Sequence, residues 1–319
     1  MKKKKFFGIM FHHFHDNKNF FKSDGSIQKE EFYKIIKRVG KKNILSPREF
    51  FHKYKNNKIE KKHVCITFDD GLKSQFDVAF PVMQELNIQG FFFIPSSIFN
   101  KKINILEKVR YFKNNLFVSV NDYYDDFYLE LKKKNNYLFI KSQLKKNEFK
   151  FKKLKRKFNF YSLEDIKYRF VRDFLLTEKS FESINVSLFE RYKFAHNKIH
   201  QNIFMSKNNI KTLSNNQNEI GLHSHSHSTN ISRLTYRKQF DEYKKNKKVL
   251  EQVIKKKIKS MAHPCGKYNF DSFEILKNLD INIGFLPEKN IEFSKKLNNH
   301  KFLIPREDHA NLINEIKSS

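Results

Sequence analysis

The 319-residue chain has no tryptophan, two cysteines, six prolines and eight glycines. Two cysteines, Cys65 and Cys265, exclude a disulfide-stapled scaffold and any four-cysteine zinc module. So little Gly and Pro excludes collagen-like or linker-dominated architecture. No apolar run approaches the ~20 residues that cross a bilayer, so no spanning helix is expected. Acidic residues are also scarce, 34 against 64 basic, for a formal net charge of +30. Apolar mass is not scarce. Hydrophobic residues make up 39% and aromatics 15%, enough for a core and too much for a disordered chain. The length fits about two domains, or one α/β domain with an insertion.

The charge is mostly lysine, with ten Arg among the basic residues. Readers of nucleic acid lean on Arg for bidentate contacts, so specific nucleic-acid binding is not expected. An A+T-rich coding bias would by itself enrich Lys, Asn, Ile and Phe. Whatever its origin, such a surface attracts anionic substrates or an anionic membrane face. Met1–Phe11 imitates a secretory leader, yet its apolar stretch ends at His12-His13 with no small-residue cleavage site. The expectation is a first strand with a basic lead-in, and a cytoplasmic chain with reduced thiols, placed at most at the inner face of the membrane.

Strands are expected at 6–14, 64–68, 90–94, 219–222, 260–262, 281–285 and 301–304. Helices are expected at 26–40, from Ser46-Pro47 onward, near 81–86, and at 235–254 and 271–279. Strand–helix repetition predicts a parallel sheet or barrel with its site at the strand C-termini. From Lys101 to Phe204 the rhythm breaks, with neither Gly nor Pro. This stretch reads as a helical insertion whose Lys141–Lys157 portion is mobile. Residues 1–100 and 205–319 then form one discontinuous domain, with 101–204 inserted.

Three blocks carry chemistry. Asp69-Asp70-Gly71 closes the strand ending in Thr67-Phe68, where two carboxylates can hold different jobs; an Asp-Gly turn is the plain alternative. Glu219-Ile220-Gly221-Leu222-His223-Ser224-His225-Ser226-His227 places three His within five residues directly after a strand. In a helical turn His223 and His227 share a face, whereas in a continued strand all three do. Imidazoles completed by a carboxylate suit zinc and similar metals. Ala262-His263-Pro264-Cys265-Gly266 follows another strand as a rigid turn.

Together these blocks resemble the polysaccharide deacetylase family, the NodB-type carbohydrate esterases. Thr67–Gly71 matches its first motif, Glu219–Ser224 with His227 its second, and Pro264-Cys265-Gly266 its third in part. The insertion lengthens the spacing between the first two.

The resemblance implies a distorted (β/α)7 barrel and hydrolysis of an N-acyl, most often N-acetyl, group on a sugar. It implies Asp70, His223 and His227 as ligands of one divalent metal, with Zn expected and Co, Ni or Mn as substitutes. Asp69 would be the general base and the backbone N–H of Cys265 an oxyanion donor, both thiols serving only to pack. Pro264, Gly266 and His13 would border the substrate. Two departures follow. Ala262 stands where the family often carries an Arg that orients the base, so Arg306, after the last strand, is expected to supply that cation. The Leu-x-His setting of the general acid is missing, leaving His309 as the candidate and His12 or His13 as fallbacks. An intermediate of surface polysaccharide or lipopolysaccharide synthesis, nucleotide- or polyprenyl-linked, would suit the basic surface. The alternatives are a deformylase or deacylase of another amide, or an inactive barrel binding anionic lipid or nucleic acid.

Overall fold

The short apolar runs are strands, and they close on themselves. In a computed structural model, which describes residues 6–16, 18–23, 25–100, 105–157, 161–196, 198–287 and 300–318, seven strands form one barrel. They are β1 (Gly8–Phe11), β2 (Cys65–Asp69), β3 (Gly90–Ile94), β4 (Glu219–Leu222), β5 (Ser260–Ala262), β6 (Ile283–Pro287) and β7 (Ile304–Asp308). Each pairs in parallel with the next, and β7 pairs with β1. This is the closed parallel barrel of the distorted (β/α)7 type, and closure leaves no unpaired edge.

Alternation along each strand sorts its side chains. On β3, Phe91 and Phe93 join a cluster with Cys65, Ala262, Ile283, Phe285 and Ile304 inside the barrel. Phe92 faces the other way and stacks on Phe68 at 4.4 Å; Phe68 in turn contacts Phe32 of the helix Lys29–Val39. On β2 the inward set is therefore Cys65, Thr67 and Asp69. On β4 it is Glu219 and Gly221, and His223 is next in line. The residues with chemistry continue the inward register beyond the last hydrophobic position.

Helix ends follow local chemistry. Ser46 caps Pro47–Lys55 in a capping box with Glu49. Thr235 caps Tyr236–Ile254, whose buried face carries Gln239, Tyr243, Asn246, Leu250 and Ile254. Two of those five are polar, so apolar spacing alone does not mark this face, and Phe240 is half-buried. The helical segment before β3 begins with a wide π turn at Gln75–Ala79 ahead of Phe80–Glu85. The last strand differs most from expectation. It begins at Ile304 and runs through Pro305, which is tolerated near a strand's first residue, and so Arg306 lies on β7 and not in a loop.

The chain divides into two units, Met1–Asn104 with Gln201–Ser319, and Ile105–His200. The second is helical, with helices Ile105–Leu116, Val120–Lys132, Tyr137–Lys146, Glu148–Lys157, Leu163–Phe170 and Glu178–Arg191. Its core includes Phe112, Tyr123, Phe127, Ile140, Ile184 and Leu188. Lys141–Lys157, expected to be mobile, is instead parts of two helices that bury Ile140 and Phe151. Phe174 is exposed.

Gly221 shows how tightly the barrel is filled. A Cβ there would lie 2.4 Å from Cδ1 of Phe93 and 2.8 Å from Ser260 Oγ. Overpacking of this kind costs about 1–3 kcal/mol. Gly221→Ala is expected to lower the urea midpoint without changing the slope of the transition. An unchanged midpoint would show that Phe93 can move aside freely.

Candidate active site

The strand C-termini supply the site. Asp69 ends β2, and the next residue turns sharply, Asp70 at φ 78° and Gly71 at φ 65°. After β4 the chain is neither helix nor strand: Ser224 and His227 both take φ 56°, and His227 N–H donates to Ser224 Oγ at 3.1 Å. This double left-handed turn settles the two alternatives left by the sequence. It brings the His223 and His227 rings to 4.9 Å and sends His225 away, its Nδ1 2.8 Å from Ser96 Oγ. Left-handed backbone costs a non-glycine residue of order 1 kcal/mol, so packing must hold it.

That packing comes from buried polar groups that sequence reasoning missed. Asn246, fully buried, accepts the His223 N–H at 2.9 Å and donates to the Ile94 carbonyl at 2.9 Å. Glu242 accepts the Ser226 N–H at 2.7 Å. Gln75 donates to the carbonyls of His12 and Asp69 at 2.9 and 2.6 Å, tying the ends of β1 and β2. A buried amide on a helix facing a strand end is the only sequence signal such residues give.

Asp70, His223 and His227 each offer one donor atom, and the three atoms lie within 4.8 Å of one another. Asp70 Oδ1 is 3.4 Å from His223 Nε2 and 3.1 Å from His227 Nε2. His223 Nδ1 lies 2.9 Å from the Ala262 carbonyl. A carbonyl only accepts, so Nδ1 carries the proton and Nε2 presents its lone pair. Asp70 Oδ1 is buried with no hydrogen-bond partner, an expensive arrangement unless something else satisfies it. Burial pushes the Asp70 carboxyl up, but the two imidazoles more than offset that and hold it well below the usual range. An ionised carboxylate oxygen and imidazole nitrogens aimed at one point are the donor set of a divalent cation, and the residues fit such an ion.

Asp69 has a different environment. Arg306 Nη1 and Nη2 donate to its two oxygens at 2.7 Å each, and Nη1 also reaches Thr67 Oγ1 at 3.1 Å. The guanidinium lies between Phe93 and Phe285, 5.4 and 6.0 Å from their ring centres. Gly8 leaves room for its stem, since a Cβ there would sit 2.9 Å from Arg306 Cγ. Burial pushes the Asp69 carboxyl up, and Arg306 overcomes this to keep it below its ordinary value. His12, 30% exposed, places Nε2 3.8 Å from Asp69 Oδ2.

The other expected residues divide. Pro264–Gly266 is a single tight turn with Cys265 at φ 52°; Pro264 and Gly266 are buried and Cys265 is exposed. The Cys265 thiol therefore does not pack, whereas Cys65 is buried and donates to the Phe7 carbonyl at 3.4 Å. His13 follows His12, their rings 6.4 Å apart. His309 is buried against Phe11, its Nδ1 3.1 Å from the Met10 carbonyl and its Nε2 3.0 Å from that of Gly25. A neutral ring can donate to one of these carbonyls, and it is His12, not His309, whose imidazole lies beside Asp69. His263, unremarked in the sequence, is buried with Nε2 2.9 Å from the Phe302 carbonyl.

Among the described residues, the strand ends of this parallel seven-stranded barrel bring together an Asp-His-His cluster and an Arg-bound Asp. Residues 190–284 match the polysaccharide deacetylase family model, a segment that holds the second and third motifs; Asp69 and Asp70 lie outside it and join it in space. A search of curated proteins returned no match. The fold is similar to three solved structures. The deacetylase PplD of Streptococcus pyogenes, solved with acetate, has TM-score 0.54 and 12% identity, with 97% of each chain covered. A de-N-acetylase from Aggregatibacter actinomycetemcomitans has TM-score 0.53 and 12% identity, with 98% of each chain covered. A polysaccharide deacetylase from Bacillus cereus has TM-score 0.52 and 12% identity over 98% of this chain and 67% of that one. The resemblance of this chain to the NodB-type polysaccharide deacetylases, read first from its motifs, stands.

Burial also sets a pH limit. Desolvation pushes His263 from 6.5 down to about 3, so the folded protein holds it neutral while the unfolded chain protonates it. Between those values the unfolded state binds the extra proton, and stability falls as pH falls, at most by about 1.4 kcal/mol per unit. Urea midpoints measured from pH 7 to 4 should fall less steeply in His263→Leu than in the parent. Parallel slopes would remove His263 from the acid limb.

Proposed function

We propose that the chain is a metal-dependent hydrolase that removes an N-acyl group, N-acetyl first, from a sugar. The observation that carries this is the pairing of an Asp70–His223–His227 donor set with an adjacent, Arg-held Asp69. The family match over residues 190–284 and the similarity of the fold to a deacetylase and a de-N-acetylase support the chemistry. Zinc is the first choice, with Co, Ni or Mn able to replace it.

Asp70, His223 and His227 would hold the ion, whose contribution when bound is Lewis acidity. Asp69, kept ionised by Arg306, takes the proton of the attacking water. Arg306 fixes both carboxylate oxygens and so limits the direction from which that proton arrives. The Cys265 N–H is the proposed donor to the developing oxyanion, and Pro264, Gly266 and His13 border the acyl sugar. His12, partly open and beside Asp69, returns a proton to the leaving amine. The proposed setting is cytoplasmic synthesis of a surface polysaccharide or lipopolysaccharide, with a nucleotide- or polyprenyl-linked substrate whose phosphates suit a chain of net charge +30.

Metal analysis and acetate release on purified variants test the roles together. His223→Ala is expected to abolish stoichiometric metal, and His225→Ala to keep it; equal loss in both would sink the ligand assignment. Asp69→Asn should retain metal while turnover drops by about 10²–10⁴-fold, the usual contribution of a general base. Loss of metal in Asp69→Asn would mean that the two carboxylates have exchanged jobs.

The anionic-substrate reading has its own test. kcat/KM should fall as salt shortens the Debye length from about 30 Å to about 8 Å, with kcat little changed. A neutral acetate ester should show no such fall; identical salt profiles would discard the charged substrate.

A further inference from the structure

Large apolar side chains facing water are concentrated in the helical unit. Among the described residues, eight of the eleven such side chains belong to Ile105–His200, a unit with less than a third of the chain. Scattered single residues of this kind need no explanation. Three of these fall within one short stretch, Leu138 at 77%, Phe139 at 56% and Phe149 at 83% exposure. That stretch is also the most basic. Tyr137–Lys157 contains eight Lys and Arg156 against the single acid Glu148.

The helical geometry explains how both sets of residues face outward. In Tyr137–Lys146 the inward position is Ile140, which packs in the unit's core with Leu144. At 100° per residue, Leu138 and Lys145 project from the opposite side. In Glu148–Lys157 the inward position is Phe151, packed edge-to-face on Phe170 at 5.1 Å. Phe149, Lys153 and Arg156 then project outward. Lys152 pairs with Glu148 at 3.4 Å and Lys155 donates to the Tyr161 carbonyl at 2.6 Å. Lys141, Lys145, Lys146, Lys153 and Arg156, in the same two helices, are exposed. A coding bias enriches Lys and Phe alike, but it does not by itself gather three large exposed apolar side chains into one short stretch whose inward positions are already filled.

We propose that Tyr137–Lys157 docks this protein on an anionic lipid bilayer. Leu138, Phe139 and Phe149 would enter the headgroup–acyl boundary, and the flanking Lys and Arg would lie against lipid phosphates. A nucleic-acid face would need the cations but would leave these side chains in water, so the bilayer accounts for both features. The inference does not depend on catalysis or on the metal.

Flotation of the whole protein with vesicles of phosphatidylcholine, with and without phosphatidylglycerol, tests it. Binding is expected only to the anionic vesicles and should weaken with salt. Lys145→Gln and Lys153→Gln should each lower the partition coefficient about fivefold. Leu138→Ser combined with Phe149→Ser should lower it about tenfold or more, with circular dichroism confirming an unchanged helix content. Hydrogen exchange on the unmodified protein gives an arm free of folding artefacts: anionic vesicles should slow exchange within Tyr137–Lys157. Equal binding to neutral vesicles, no binding, or protection confined to other segments would overturn the proposal. Tight binding to inorganic polyphosphate or duplex DNA that ignores the Leu138 and Phe149 changes would replace it with a polyanion site.

Discussion

The ion pair between Arg306 and Asp69 is the constraint around which the barrel is arranged. Its two members come from β7 and β2, with β1 between them, and Gly8 pairs in register with both Cys65 and Arg306. The pair forms only because the sheet closes and Gly8 gives up its side-chain volume to the arginine. Phe93 and Phe285 flank the guanidinium, and Gly221 yields space to Phe93. Glycines at two strands and rings from two others thus serve one buried charge. Breaking such a pair by removing one partner typically costs about 3–5 kcal/mol, because the survivor is left charged and dry. The same arrangement fixes Asp69 in one orientation and one protonation state.

Much of this was legible beforehand. Short, mostly apolar runs located β3, β4 and β5 to the residue, since a strand covered on both faces has little freedom in composition. The His223–His227 spacing was legible as a pair, but not the turn that unites them. Ser224 and His227 adopt left-handed backbone without glycine, and nothing in their identity announces it. The turn is imposed from outside by Asn246 and Glu242 on a helix that the hydrophobic pattern read as apolar. Buried amides are invisible to a reading that equates burial with apolar character.

Arg306 and His309 both follow the strand expected at 301–304. Arg306 lies on β7, next to β1, and reaches Asp69. His309 opens a helix (His309–Lys317), and its ring lies against the carbonyls of Met10 and Gly25. Sequence proximity to the last strand placed both near the site; only the direction of the pleat separates them. His12 follows the inward register of β1, and Phe11, against which His309 packs, points the other way.

A comparison within the chain separates a structural carboxylate from a working one. Asp165 in the helical unit is as deeply buried as Asp69 and Asp70. Tyr124 OH satisfies its Oδ1 at 2.5 Å and Arg169 Nε its Oδ2 at 2.5 Å. Burial pushes its carboxyl up and Arg169 brings it back below the ordinary value. Nothing remains for a ligand to do there. Asp69 is likewise saturated by Arg306 on one side, but a partly exposed imidazole stands on its other side. Asp70 keeps one buried oxygen with no hydrogen-bond partner, facing two imidazole nitrogens. Asp165 is satisfied at both oxygens, whereas Asp70 Oδ1 has no hydrogen bond. That difference, and not depth of burial, sets the Asp70 cluster apart as the donor set proposed above for a cation.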